Sequence, residues 1–218
     1  MNVRLIALTK PHHLLQQDGI KTAEQLIVYA ARVSNPSNQT NTETGARLLR
    51  YCIRNGHWSV FETVSMTVEI TTSRAIAAQL LRHRSFTFQE FSQRYAESTN
   101  CEDVELRTQD AKNRQGSGKP HKDEYDCDMV QFIIEDAFLA YRTLLRNGVS
   151  RETARMILPL CTQTTLYMTG NVRSWIHYLE QRTAEGTQKE HRDIAQAIQL
   201  IFNENFPNIY QAIYESHS

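Results

Sequence analysis

Cysteine is scarce, with four in 218 residues, at Cys52, Cys101, Cys127 and Cys161. None forms a CxxC pair or any other short metal-binding spacing, so neither a disulfide scaffold nor a cysteine zinc site is expected. The thiols are expected to be reduced, in a reducing compartment. An excess of either charge is also missing: 24 Lys and Arg balance 24 Asp and Glu. That balance speaks against a general nucleic-acid binder, which is usually basic overall, but leaves room for a local basic pocket. No apolar run approaches the ~20 residues of a membrane span. Met1 to Leu8 is too short and too lightly charged for a targeting segment. No repeat of 20–50 residues and no low-complexity stretch is present. A soluble globular chain with room for a sizeable core is what remains, one domain over 1–218 with a cytoplasmic setting expected.

The periodicities point to an α+β fold, a small and mainly antiparallel central sheet packed with several helices and a helical C-terminal part. Val3 to Leu8 reads as a strand. Thr22 and Gln25 form a capping-box pattern ahead of a helix carrying Leu26, Ile27, Ala30 and Ala31. A second helix is expected over 42–55, with Gly56 as its C-terminal glycine. Val64, Met66, Val68 and Ile70 alternate with Ser65, Thr67 and Glu69, the period of a half-buried strand. A helix follows over 74–82, capped from Thr71-Thr72-Ser73, and then a structured loop from Ser85 to Tyr95 that enters a strand. Residues 108–126 are polar with clustered Gly and Pro, and read as a surface loop and the best candidate for mobility. Helices are expected over 128–146, after Ser150, over 171–182 and 188–203, and from Pro207. A strand is expected over 164–169.

Several chemical motifs fail on inspection. Gly116-Ser117-Gly118-Lys119 lacks the earlier glycine of a phosphate-binding loop, and Pro120 stands where a magnesium-holding hydroxyl belongs. No GxGxxG and no GxSxG is present. His57, Glu62 and His83 could in principle hold zinc for a hydrolase, but their spacing matches no common helix-borne ligand pair, and no metal is expected. What stands out is the stretch from Arg82 to Tyr95. Three arginines and one histidine emerge at the end of an apolar helix, interleaved with Phe86, Phe88, Phe91 and Tyr95. Guanidinium forks plus aromatic faces suit a stacked heterocycle bearing phosphate. A solvated basic helix end, a site for one small nucleotide, and a non-catalytic RNA- or nucleotide-binding module all remain open from these residues alone.

Arg82-His83-Arg84, followed after seven residues by Ser92, resembles the signature of the flavin-dependent thymidylate synthases. Gly56-His57-Trp58-Ser59-Val60-Phe61-Glu62, Ala30-Ala31-Arg32-Val33-Ser34, Arg155 to Leu160, Asn171-Val172-Arg173-Ser174 and Gln181-Arg182 resemble further segments of that family, in order along most of the chain. The resemblance implies the thymidylate synthase-complementing fold and reductive methylation of dUMP to dTMP, an FAD-dependent methyltransferase reaction. Methylenetetrahydrofolate would supply the carbon and NADPH the reducing equivalents, through bound FAD. It also implies a homotetramer with active sites between subunits. Carried onto this chain, it assigns dUMP to Gln79, Leu80, Leu81 and Arg82, to Glu90, Phe91, Ser92, Gln93 and Arg94, and to Arg155 and Arg182. FAD falls to Ser59, to Arg82, His83 and Arg84, to Glu90, to Asn171, Val172 and Arg173, and to His177. Arg182 matches the arginine thought to activate the uracil ring. A guanidinium charged to a pKa above ~12 beside N3 would favour the N3-deprotonated ring, which attacks better from C5. His177 stands where some members carry an amide, and Gly186 where some carry a histidine. No base stands next to Ser92, so it reads as a nucleotide or phosphate contact rather than a nucleophile. No cysteine falls in a matched motif. On a helix, Asn171 and Arg182 would lie on nearly one face, ~16 Å apart along the axis, while Arg173 and His177 share another.

Overall fold

The computed structural model describes residues 1–214. In chain order it contains β1 (Asn2–Leu8), α1 (His13–Gln17), α2 (Ala23–Ala31), α3 (Gly45–Arg54), β2 (Ser65–Ser73), α4 (Arg74–Leu80), β3 (Thr87–Glu90), β4 (Arg107–Gln109), β5 (Ser117–Pro120), α5 (Glu124–Arg146), α6 (Arg151–Ala154), β6 (Gln163–Asn171), α7 (Val172–Arg182), α8 (Lys189–Asn205) and α9 (Pro207–Tyr214). Single 3-10 turns lie at Trp58–Glu62 and Arg155–Ile157. No helix among the described residues is long and apolar enough to cross a membrane.

The main sheet has four strands in the order β1-β2-β6-β3, all antiparallel. Its central pair explains the alternation in the sequence. Met66, Val68 and Ile70 of β2 and Leu166 and Met168 of β6 are fully buried on one face. There they meet Trp175, Ile176 and Leu179 of α7 and Ile194 and Ile198 of α8 in one continuous core. The opposite face is polar and bears cross-strand hydroxyl pairs, Thr67 with Thr169 at 2.9 Å and Thr71 with Thr165 at 3.2 Å. Such opposed pairs add a few tenths of a kcal/mol each, up to about 1.

Two details place the segment after α4. Trp175 donates its Nε1–H to both Met66 O and Gly170 O, 3.1 Å from each, so the indole is pinned against the β2–β6 pair. The Phe86 ring packs edge-on to that indole, with centroids 4.6 Å apart. It lies so close to Gly170 that a Cβ there would come within 2.5 Å of two ring carbons. Phe86 is the anchor on which the preceding Arg82-His83-Arg84 stretch is hung.

The capping box at Thr22 and Gln25 forms as its pattern suggests, and Gly56 takes a φ of +67° just beyond α3, a conformation that costs glycine little. Two boundaries differ from the sequence reading. Residues 108–126 are not structureless: β4 and β5 pair as a short antiparallel hairpin, and α5 has begun by Glu124 because Asp123 caps it, accepting from Asp126 N at 3.2 Å. Asn171, expected within a helix, is instead the N-cap of α7; its Oδ1 accepts from Ser174 N at 2.9 Å.

Candidate functional site

Helix α4 starts on the Ser73 cap and runs along the core through the buried Ile76, Ala77 and Leu80. Its end delivers Arg82, His83 and Arg84 beside the last turn of α7. Arg182, in that turn, donates Nε–H to His83 Nε2 at 2.9 Å. Burial and the Arg182 charge hold His83 well below the usual imidazole value, at about 4. The ring is therefore neutral at ordinary pH, accepts through Nε2 and carries its proton on Nδ1. The Tyr178 ring stands edge-on against it at 4.9 Å, and burial pushes the Tyr178 hydroxyl up. With Nε tied back to His83, the two terminal nitrogens of Arg182 remain for a ligand. Arg82 and Arg84 are exposed, and neither has an ion-pair or side-chain hydrogen-bond partner among the described residues. Gln79, one turn back on α4, sits between Gln188 (Nε2 to Oε1, 2.7 Å) and His191 (Oε1 to Nδ1, 3.2 Å). Leu80 has no exposed side chain, so only its backbone can face a ligand; Leu81 is partly exposed.

The second group lies at the other end of α4. Glu90 Oε1 accepts from Arg74 Nη1 and Thr164 Oγ1, both at 2.9 Å, while Arg74 Nη2 donates to Phe91 O at 3.1 Å. This fixes the exit of β3 over a cavity of about 660 Å3 lined by Glu90, Phe91, Ser92, Tyr95, Thr165 and Tyr167. Ser92 is exposed. Gln93 is buried, and its amide donates to Ser98 Oγ at 2.9 Å, which shapes the loop. Arg94 pairs with Glu152 at 3.2 Å across an exposed surface, and Arg155 donates to Glu152 O at 3.3 Å. Seven residues of α4 span roughly 10 Å, so the Arg182–His83 group and the Glu90–Arg94–Arg155 group sit at opposite ends of one short helix.

A third group forms on the turn Trp58–Glu62. Arg173 of α7 pairs with Glu62 at 2.5 Å, and the His177 ring lies 5.2 Å from the Trp58 ring. The expected Arg173–His177 face thus does form, and both side chains reach the segment that holds the exposed Ser59. Val172 is core, and the side-chain oxygen of Asn171 is taken by capping. His57, Glu62 and His83 do not converge. His57 meets Tyr51, Glu62 meets Arg173, His83 meets Arg182, and no group among the described residues could hold a metal ion.

Sequence reasoning missed Arg74, Trp58, Tyr178, Gln188 and His191 as parts of these groups. For His191 the pattern points elsewhere. It falls on the apolar stripe of α8 with Ile194, Ala195 and Ile198, where core residues belong.

An antiparallel sheet backed by helices, with arginines, a neutral histidine and aromatic rings gathered at the ends of α4 and α7, is an arrangement suited to an anionic heterocyclic ligand. The comparisons narrow that class. The family model described as thymidylate synthase complementing protein matches residues 13–208. A probable flavin-dependent thymidylate synthase of Paramecium bursaria Chlorella virus 1 is 50% identical over 217 residues, covering 98% of this chain and 99% of the viral one. A flavin-dependent thymidylate synthase of Synechocystis sp. is 48% identical, with 98% and 99% covered. Among solved structures, a UMP/dUMP methylase from Streptomyces cacaoi bound with 5-Br dUMP superimposes with a TM-score of 0.80 at 28% identity, covering 97% of this chain and 93% of that one. The chain belongs to the thymidylate synthase complementing protein family.

Proposed function

We propose that this chain is a flavin-dependent thymidylate synthase. It methylates dUMP to dTMP, with methylenetetrahydrofolate as carbon donor and NADPH as reductant. The observation that carries the reading is the bond from Arg182 Nε to a neutral His83, flanked by two arginines with no acid partner. Arg182 is held by one nitrogen and offers two, a fork suited to the edge of a pyrimidine. There its charge favours the N3-deprotonated ring and raises electron density at C5. Glu90, Phe91, Ser92, Arg94 and Arg155 hold the nucleotide and its phosphate, with Gln79 and Arg82 at the other end.

The residues present fit a flavin dinucleotide. Arg82 and Arg84 supply unpaired guanidinium groups for a pyrophosphate, and Trp58, Ser59, Arg173 and His177 form an aromatic and polar shelf. When bound, FAD supplies the redox chemistry, accepting electrons from NADPH and passing them on.

The nucleotide residues lie at the two ends of α4, roughly 10 Å apart, and we read the site as completed by a second copy. Helix α5 supports assembly. Only Ile134, Phe138 and Tyr141 of its 23 residues are buried hydrophobics, while Tyr125, Met129, Phe132, Ile133 and Leu139 are 42–76% exposed. So much apolar surface on one helix marks a protein interface. We read the assembly as a homotetramer and its setting as the cytoplasm, with residues 1–218 acting as one synthase domain; a single core cluster that joins residues of the segment Ala23–Phe86 to residues of the segment Leu166–Ile209 supports the last point.

The test is direct. Protein reconstituted with FAD should be yellow, be bleached by NADPH faster when dUMP is present, and form dTMP once methylenetetrahydrofolate is added. Protein that takes up no FAD and forms no dTMP contradicts the reading.

A further inference from the structure

His191 opens the first turns of α8 with no exposed surface, and no sequence motif marks it. Its ring lies 6.0 Å from that of His83 and 5.9 Å from that of Tyr178, behind the arginine-bearing ends of α4 and α7. We propose that His191 is a positioning residue: through its Nδ1–H it locks the Gln79 amide so that Gln79 presents a hydrogen-bond donor, and not an acceptor, to the nucleotide. This rests on the proposed role of Gln79 as a dUMP contact.

Each hydrogen bond in this group takes its direction from one fixed end. Glu190 pairs with the half-buried Arg107 at 2.5 Å and is held below the usual carboxylate range despite its own burial, so it is ionised and can only accept. Its other oxygen lies 2.9 Å from Gln188 Nε2, which must donate. Gln188 Oε1 is then the acceptor facing Gln79 at 2.7 Å, so the Gln79 atom there is Nε2 and donates. Gln79 Oε1 is left pointing at His191 Nδ1, 3.2 Å away, and needs a donor. His191 must therefore carry its proton on Nδ1. The chain Arg107–Glu190–Gln188–Gln79–His191 has one consistent polarity, and it leaves one N–H of Gln79 for the ligand.

The groups facing His191 are Arg182 and Tyr178 from α7, His83 from the segment after α4, and Gln79. None is an acid, so nothing favours the doubly protonated ring, and the donor stays single and fixed. An amide held in this way suits a carbonyl or phosphate oxygen of the nucleotide and disfavours an amino group at that place. Without His191 the amide keeps its bond to Gln188 but loses the second anchor on its oxygen, so its plane is free to rock about that single bond and the discrimination weakens.

The experiment uses the flavin-loaded enzyme and two variants of nearly equal size. His191→Asn keeps an N–H close to the Nδ1 position; His191→Leu does not. A lost neutral hydrogen bond is worth about 1 kcal/mol, or roughly a fivefold change in binding. The KM for dUMP is expected to rise about fivefold or more in His191→Leu with kcat and flavin content little changed, and to stay within about twofold in His191→Asn. Gln79→Ala should raise the same KM, and adding His191→Leu to it should cost nothing further. Full additivity, or a wild-type KM in His191→Leu beside a raised one in Gln79→Ala, overturns the positioning role. An unchanged KM in Gln79→Ala instead refutes the reading of Gln79 as a nucleotide contact. Nitrogen NMR of the wild-type imidazole gives a readout that needs no variant to fold: the Nδ1–H tautomer is expected, and the Nε2–H tautomer contradicts the proposal.

Discussion

His191 also sets how the protein should respond to acid. Burial first, then the Arg182 charge and the competition of His83 for the same proton, lower its imidazole to about 4 from an ordinary value near 6.5. In the unfolded chain the ring regains that ordinary value. Between pH 6.5 and pH 4 the unfolded state therefore holds a proton that the folded state refuses. The stabilisation from keeping His191 neutral is present above pH 6.5 and is lost as pH falls towards 4. Integrating the two titrations from pH 7 to pH 5 gives a loss of about 2 kcal/mol for this one group. His83, lowered to about 4 for the same reasons, acts in the same direction. Glu24, raised by burial, acts in the opposite one, but it is common to wild type and variant and cancels in their difference. The comparison is thus between wild type and His191→Leu. Urea unfolding is followed by the fluorescence of Trp58 and Trp175 at half-unit steps from pH 5 to pH 7. The variant should lose about 2 kcal/mol less than wild type over that range, whatever its absolute stability. Identical pH slopes for the two proteins would refute the claim that His191 is buried and neutral.

Two further outcomes follow from packing. Gly170→Ala drives a methyl into the Phe86 ring, an overpacking that typically costs about 1–3 kcal/mol, and the melting temperature should drop by roughly 5 °C; an unchanged value would show that Phe86 is not seated against β6. Phe132→Glu together with Ile133→Glu on α5 should reduce the mass measured by light scattering, because two charges would be buried in the subunit contact. An unchanged mass would place the assembly surface elsewhere.

The periodic parts of the fold were legible in the sequence for a plain reason. Strands β2 and β6 bury one face only, so their residues alternate, and Thr22 with Gln25 writes a cap that local geometry alone can satisfy. What was hidden depends on distant partners. Asn171 reads as a helical position until its side chain is seen accepting from Ser174 N, which places it at the cap. The hairpin of β4 and β5 carries no alternation because Ser117 to Pro120 are all exposed. The site divides in the same way. Arg82, His83, Arg84 and Arg182 were found by motif resemblance, but the bond between His83 and Arg182 joins residues 99 positions apart, and no spacing rule announces it. His191 was hidden more deeply, since a histidine on an apolar helix stripe looks like core until its partner Gln79 is placed beside it.

In the proposed reaction Arg182, steadied by His83, acts on the pyrimidine and not on the flavin. Arg182→Ala, purified with FAD, tests it in one measurement of bound flavin and dTMP formation on the same sample. Flavin content near that of wild type is expected, with turnover lowered by about a hundredfold or more, the loss typical of removing a preorganised charge from a reacting centre. Wild-type turnover, or a colourless protein, would contradict it.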